Sequence, residues 1–403
     1  MKKIISCLLI TVICMFQMQS VSAQSIQIQL HSKYAYLYDR ETSLVYYEKK
    51  SDEKIFPASM TKIVTVSLAL EKIDDLSETV TIQASDLKGL AESHATVAGF
   101  YVGERVTYED LIYGALLPSG ADACNALARV TYGSLSNLVD AMNQRVTDLN
   151  LKNTHFMNVT GLHDDHHYTT VHEMAILLNS ALSNSEFVKV FETRKHTSSK
   201  GNHQWTSSLQ RGKDYKNIDI QKIDGGKSGF TDEAQLTFAS TMTIDHHQFI
   251  LVTAYAKGQY TQNHVQDAVT VCQYMNDHFH QIVFYKKDEE IESYWITKSL
   301  KIQYKLNAPQ DITILCDKNI TKSDIDITID SPTFIESPIQ KGDSLGTITF
   351  YYENQVLYKY SLEATKTIES SIIEVLLYYL ILFGFPLIIV GIIITRFKRK
   401  RRT

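Results

Sequence analysis

The chain has 403 residues, 44% of them hydrophobic and 21% charged, with a formal net charge of −5 at pH 7. Two lysines at the extreme N-terminus and six cations at the extreme C-terminus are clustered apart from the rest. Without them 32 Lys and Arg face 45 Asp and Glu, and the resulting −13 excludes nucleic acid and anionic lipid surfaces as partners of the body.

Lys2 and Lys3, the apolar stretch Ile4 to Phe16 and the small residues Val21-Ser22-Ala23 form an export leader over residues 1–23. The mature chain is therefore expected to begin at Gln24, outside the cytoplasm. Its three cysteines, Cys124, Cys272 and Cys316, lack Cys-x-x-Cys spacing and imply neither a disulfide framework nor a zinc cage. Lys33 to Asp39 and Leu44 to Tyr47 read as a hairpin turning through Arg40 to Ser43. Pro57 then sets a turn, and Met60 to Leu70 has helical spacing. Ser59 would sit at or near a helix N-terminus, where backbone N–H groups and the dipole favour developing negative charge. Ser59 and Lys62 stand at i and i+3 on one face, so a nucleophile and a base can share a cleft. Ser-x-x-Lys alone is common on solvated helices, and only its surroundings give it meaning.

Leu76 to Glu192 reads as a helical subdomain, with helices over Tyr108 to Leu117, Ala121 to Val130 and Leu135 to Leu149. Ser119, with Asp122 three residues on, also fits an ordinary helix N-cap. His163-Asp164-Asp165-His166-His167 and His172-Glu173 carry metal-ligand residue types, but position 176 is Ile, so no His-Glu-x-x-His pair exists and the segment reads as a solvated loop. Cys124 is expected to be a buried structural thiol. Gln235 to Thr243 and Gln248 to Ala256 form an antiparallel pair joined by Asp245-His246-His247, and Asn263 to His280 forms a closing helix. The charge run Lys286 to Glu292 marks a boundary, which gives a large domain over 24–285. A period of two from Ile302 to Leu362 gives a small all-β domain over 293–362. Polar residues 363–371 read as a stalk. Val375 to Ile394, uncharged and about as long as the ~30 Å hydrocarbon core, places a membrane anchor at 372–395. The basic tail 396–403 would lie in the cytoplasm.

Several stretches recur in a telling order: Phe56-Pro57-Ala58-Ser59-Met60-Thr61-Lys62, Leu116-Leu117-Pro118-Ser119-Gly120, Asn153-Thr154-His155-Phe156, Thr160-Gly161-Leu162 and Gly225-Gly226-Lys227-Ser228-Gly229-Phe230-Thr231-Asp232. Together they resemble the serine D-alanyl-D-alanine carboxypeptidases among the low-molecular-mass penicillin-binding proteins. Lys341-Gly342-Asp343-Ser344-Leu345-Gly346 looks like the C-terminal module of that family.

The resemblance implies an α/β (α+β) fold: an antiparallel sheet flanked by helices with a helical subdomain, of the β-lactamase and transpeptidase type, then the small all-β domain and the transmembrane helix. It implies hydrolysis of the terminal D-Ala-D-Ala bond of peptidoglycan stem peptides through a serine acyl-enzyme, covalent capture of β-lactams, and neither cofactor nor metal. The expected location is a bacterial, Gram-positive cell membrane with the catalytic domain outside. In the roles that the resemblance implies, Ser59 attacks and a neutral Lys62 takes its proton, lowered by burial and by the nearby cation of Lys227. Ser119 relays a proton to the leaving amine. Lys227 and Ser228 grip the substrate carboxylate. The amides of Ser59 and Phe230 form the oxyanion hole beside Gly229.

Ala121 departs from the pattern, since the family usually has Asn there; an amide lost from such a place costs about 1–3 kcal/mol. That loss motivates an alternative, a catalytically weak penicillin-binding or scaffold protein of the wall. Ser228 in place of the usual Thr keeps the hydroxyl. A β-lactamase would need a Glu-x-x-x-Asn loop, and Glu173 to Asn179 has the wrong spacing.

Overall fold

The computed structural model describes residues 26, 28–301, 303–370 and 372–400. The expected leader, 1–23, lies outside them. Strand β1 (Ser32–Asp39) turns back into β2 (Val45–Lys49), the expected hairpin. These strands join β3 (Ile223–Gly229), β4 (Leu236–Ile244) and β5 (His247–Ala256) in one antiparallel sheet ordered β2-β1-β5-β4-β3. Both faces of this sheet are covered, and the strand period of two sorts its residues between them. Tyr36, Tyr38, Ile250, Val252 and Ala254 face the helical subdomain. Leu37, Phe249 and Leu251 face the opposite way, toward Val265, Ala268, Val271 and Met275.

The subdomain is built around α1 (Thr61–Leu70), every residue of which is buried. Apolar side chains surround it on all sides, so it runs through the core rather than along its surface. Helices α2 (Tyr108–Leu116), α3 (Ala121–Tyr132), α4 (Leu135–Asp148), α5 (Val171–Ala181) and α6 (Ser185–Glu192) pack about it. Threonine, serine and asparagine side chains cap four of them: Thr107, Ser134, Thr170 and Asn184 accept from first-turn amides. A further short helix, α7 (Ser208–Lys216), leads into β3.

Three expectations change in the second half. The β4–β5 turn holds only Asp245 and His246, both at positive φ (44° and 73°), as two-residue hairpin turns require. His247 is therefore already in the strand and fully buried. Its Nδ1 lies 2.7 Å from Asp39 Oδ2 and its Nε2 lies 3.0 Å from Thr313 Oγ1, which ties the five-stranded sheet to the C-terminal module.

Helix α8 (Asn263–His278) ends before Phe279, and Phe279–Tyr285 is a strand that pairs antiparallel with Ile312–Asp317. A large domain ending at 285 thus includes a strand whose hydrogen bonds belong to the following β module. Sheet pairing across 26 or more intervening residues carries no local sequence signal, and the charge run that suggested the boundary covers the next turn and the start of the strand Glu290–Thr297.

The stretch 363–371 is no free stalk either. Ala364 and Ile368 are buried, Ile368 bridges to Ile339, and the Thr365 N–H donates to Tyr304 Oη at 2.8 Å. Beyond it lies one helix long and apolar enough to cross a membrane, Ile372–Phe397, of mean hydropathy 2.6. It loosens into a wider turn at Leu380–Gly384, because Pro386 has no N–H to give to the carbonyl of Leu382.

Candidate active site

The Ser59 segment begins at Pro57. Ala58 follows with φ +47, a left-handed value rare for a residue with a side chain, and Ala58–Met60 forms a tight turn that feeds α1. Ser59 is left half-buried and reachable, while Lys62, one turn later, is enclosed at 3% exposure. Lys62 Nζ donates to Ser59 Oγ at 2.9 Å and to the Thr160 carbonyl at 2.5 Å. The Thr160 turn has its own support. Asn158 Oδ1 accepts from the amides of Thr160 (3.1 Å) and Gly161 (2.7 Å), and its Nδ2 donates to the Leu162 carbonyl. Gly161, at φ +82, is obligatory: a Cβ there would stand 1.8 Å from the Ala58 oxygen.

The second pair comes from two other segments. Ser119 is not an N-cap; Gly120 takes that position in α3, and Ser119 has φ +72. Its Oγ accepts from Lys227 Nζ at 2.9 Å, and Lys227 Nζ also donates to the Ser228 carbonyl at 2.8 Å. Asp122 serves a different purpose. Its buried carboxylate accepts from the amides of Ala98, Gly99 and Phe100 at 2.7–3.1 Å and fixes that loop over the start of α3.

Lys227 and Gly229, two apart on β3, share one face of the strand. A Cβ on Gly229 would lie 2.7 Å from the Ser59 nitrogen and 2.6 Å from Thr237 Oγ1. The bare strand therefore runs directly past Ser59, and the two serine–lysine pairs meet in one place. Ser228 and Phe230 alternate with them, both half-buried, with the Ser228 amide donating to Ser208 Oγ at 3.2 Å.

Burial lowers Lys62 from its ordinary ammonium range, against the raising influence of Cys124 and Asp122. Lys227 falls well below it, from burial first and then from the positive charges of Lys62 and Arg211. The repulsion expected to act on Lys62 thus falls chiefly on Lys227. Cys124 is a buried free thiol pushed up to about 11 by burial, as expected of a structural cysteine. Ala121 is buried at 1% exposure, and its methyl group offers no hydrogen bond.

The histidine-rich segment does not converge. His163 lies 3.5 Å from Asp165, His172 lies 2.9 Å from Asp52, and Glu173 accepts from the amides of Lys152 and Asn153 and from the Thr154 hydroxyl. Glu173 is thereby occupied and has no spare oxygen aimed at the site. His167 departs most from a solvated loop: it is 2% exposed and bonded to Thr61. Local pattern gave His167 only as part of a metal-type run read as a solvated loop, since its partner Thr61 lies elsewhere in the chain, and it did not mark Asn158.

A serine held by a buried lysine, faced by a second serine–lysine pair and the sheet's edge strand β3, defines the class of serine hydrolases. Residues 18–258 match the D-alanyl-D-alanine carboxypeptidase family, and residues 279–370 match the C-terminal domain of penicillin-binding protein 5. The chain belongs to the D-alanyl-D-alanine carboxypeptidase family and is a serine-type enzyme of it. It is 29% identical over 371 residues to D-alanyl-D-alanine carboxypeptidase DacF of Bacillus subtilis, covering 89% of this chain and 92% of that one. A Streptomyces D-alanyl-D-alanine carboxypeptidase is 31% identical over 221 residues, covering 51% and 75%. In fold it is similar to penicillin-binding protein 5 of Haemophilus influenzae, with TM-score 0.74, 23% identity and coverage of 86% and 100%.

Proposed function

We propose that Ser59 cleaves the D-Ala-D-Ala bond of stem peptides through an acyl-enzyme and that β-lactams acylate the same oxygen. The observation that carries this reading is the pair of 2.9 Å contacts, Lys62 to Ser59 and Lys227 to Ser119, brought together by the Gly229 strand. Among the described residues no carboxylate pairs with the buried Lys227, whose Nζ donates to Ser119 Oγ and the Ser228 carbonyl. A substrate carboxylate would fill that vacancy and favour the charge on Lys227. The charge would in turn hold Lys62 neutral, ready to accept the Ser59 proton.

Ser59 Oγ then bonds to the carbonyl carbon, and its proton passes to Lys62. The oxyanion is held by the amides of Ser59 and Phe230. As the C–N bond breaks, the proton that Lys62 took passes through Ser119 to the departing D-alanine amine, which leaves Lys62 neutral again. Water then loses a proton to the neutral Lys62 and attacks the ester, and Lys62 returns that proton to Ser59 Oγ as the acyl C–O bond breaks. The test is D-alanine release from an N-acyl-D-Ala-D-Ala tripeptide beside a time course of fluorescent penicillin labelling. Labelling without release would favour the wall scaffold.

Thr160 bears on the weight of Ala121. Of the two partners an Asn amide would serve, Lys62 already has one replacement in the Thr160 carbonyl, so only the contact to the substrate is missing. Ala121→Asn should raise kcat/KM for the tripeptide by about tenfold, the equivalent of one ordinary hydrogen bond. An unchanged value would mean that the pocket has closed over the site.

We also propose that Ile372–Phe397 anchors the enzyme, with the 396–403 tail in the cytoplasm. Deleting 372–403 should move the protein from the membrane pellet to the soluble fraction with D-alanine release intact; retention in the pellet would assign anchoring to the body.

A further inference from the structure

Behind the nucleophile runs a chain of hydrogen bonds that the reaction steps above do not use. The Met157 N–H donates to His167 Nδ1 at 3.1 Å. With Nδ1 an acceptor, the proton of the neutral ring sits on Nε2, which lies 2.8 Å from Thr61 Oγ1. The Thr61 hydroxyl, accepting from His167, donates in turn to the Ala58 carbonyl at 2.8 Å. Every link points the same way and ends on one oxygen. Burial holds the imidazole well down, to about 4, so it stays neutral and keeps this single tautomer. The edge of the ring against Phe156, 5.4 Å between centroids at 73°, fixes its plane.

That oxygen belongs to the peptide plane between Ala58 and Ser59. In a trans peptide the C=O and the N–H point in opposite directions, so holding the Ala58 carbonyl aims the Ser59 N–H. The plane needs holding, because Ala58 at φ +47 has a backbone conformation that a residue with a Cβ rarely adopts unaided. Gly161 leaves room for the carbonyl on one side, and Gly229 faces the Ser59 nitrogen on the other.

We propose that His167 is a positioning residue for the oxyanion hole: through the Thr61 hydroxyl it sets the Ala58–Ser59 peptide so that the Ser59 amide faces the reacting carbonyl. This rests on the assignment of Ser59 as nucleophile. No contact of His167 with substrate is involved.

The experiment compares His167→Asn, His167→Gln, Thr61→Val, Thr61→Ser and the double variant His167→Asn/Thr61→Val in the full-length protein. Asn reaches only as far as Nδ1 and loses the bond to Thr61, whereas Gln can place an amide donor near Nε2. Expected for His167→Asn and Thr61→Val are kcat and penicillin acylation rates lower by about 10- to 100-fold, less than the loss of a whole oxyanion donor, with KM within about threefold. Rates are taken per penicillin-titrated site, so that lost folding does not count. His167→Gln and Thr61→Ser should recover most of the rate. Because one chain is cut twice, the double variant should be no slower than the slower single one.

Wild-type rates in both single variants, or losses that multiply in the double one, would overturn the proposal. If the unaltered protein were not acylated at all, the Ser59 assignment would fail by itself. A crystal structure of Thr61→Val would then decide the relay, with a rotated Ala58–Ser59 plane supporting it and an unmoved plane refuting it.

Discussion

Ser59→Ala should lower D-alanine release by at least ~10^4-fold and abolish covalent penicillin labelling while leaving the fold intact, a loss of the size seen when a nucleophile is removed from a serine hydrolase. The size follows from what remains. Lys62 keeps its bond to the Thr160 carbonyl, Lys227 keeps Ser119, and the strand edge at Gly229 is untouched, so substrate still binds. What is gone is the half-exposed hydroxyl to which the buried Lys62 donates, on the residue whose nitrogen faces the Gly229 strand. Thermal unfolding should change little, since Ser59 is half-exposed and its removal leaves no buried donor without an acceptor. The informative comparison is mass spectrometry of the penicillin adduct. An adduct persisting in Ser59→Ala would move the nucleophile to Ser119 and make the Lys227 pair the reactive one.

How much of this could be read from the sequence follows the range of the contacts involved. The helices of the subdomain were legible because their signals are local: apolar spacing over Tyr108 to Leu117 and Leu135 to Leu149 matches α2 and α4 within a residue. The β4–β5 pair was legible for the same reason. The meeting of Ser59, Ser119 and Lys227 was an inference from motif order alone, as no physical signal in the chain says that segments 60 and 108 residues apart share a pocket. His167 shows the opposite outcome. It lies among Asp164, Asp165 and His166, a run that reads as solvated, yet its partner Thr61 is 106 residues away. Only burial distinguishes it from its neighbours, and burial is decided by packing. The same holds for Phe279–Tyr285 and for Ile368, whose pairing partners Ile312–Asp317 and Ile339 lie in other turns of the module. Ile327 makes a related point: alternation located the strand Ile325–Asp330, but Ile327 is 38% exposed, so the periodicity gave the strand and not its buried face.

Lys62→Met is the sharper test of mechanism, because its effects on activity and on stability run in opposite directions. Loss of the base should reduce acylation by about 10^3-fold, within the usual range for general acid–base groups. The pH profile should change as well. Acylation by the unaltered enzyme rises with pH as Lys62, lowered from 10.5 by burial, gives up its proton, whereas the variant has no such group to titrate. Stability turns the other way. A lysine with a lowered folded pKa binds its proton less well folded than unfolded, so below the folded pKa its burial costs stability. That cost fades as pH rises toward 10.5, where the unfolded lysine also loses its proton. Met fills similar volume without charge, and its presence also relieves Lys227, whose proton affinity Lys62 depresses. The Tm of Lys62→Met should therefore equal or exceed that of the unaltered protein at pH 7, and the difference should shrink as pH is raised toward 10. The opposing changes are small: the half-exposed Ser59 hydroxyl loses one donor, the attraction of Asp122 is lost, and the Thr160 carbonyl loses one donor in a turn that Asn158 already holds by three bonds. A variant that was markedly less stable at pH 7 would mean that Lys62 is held there by attraction, and one that still acylated at the full rate would place the base elsewhere.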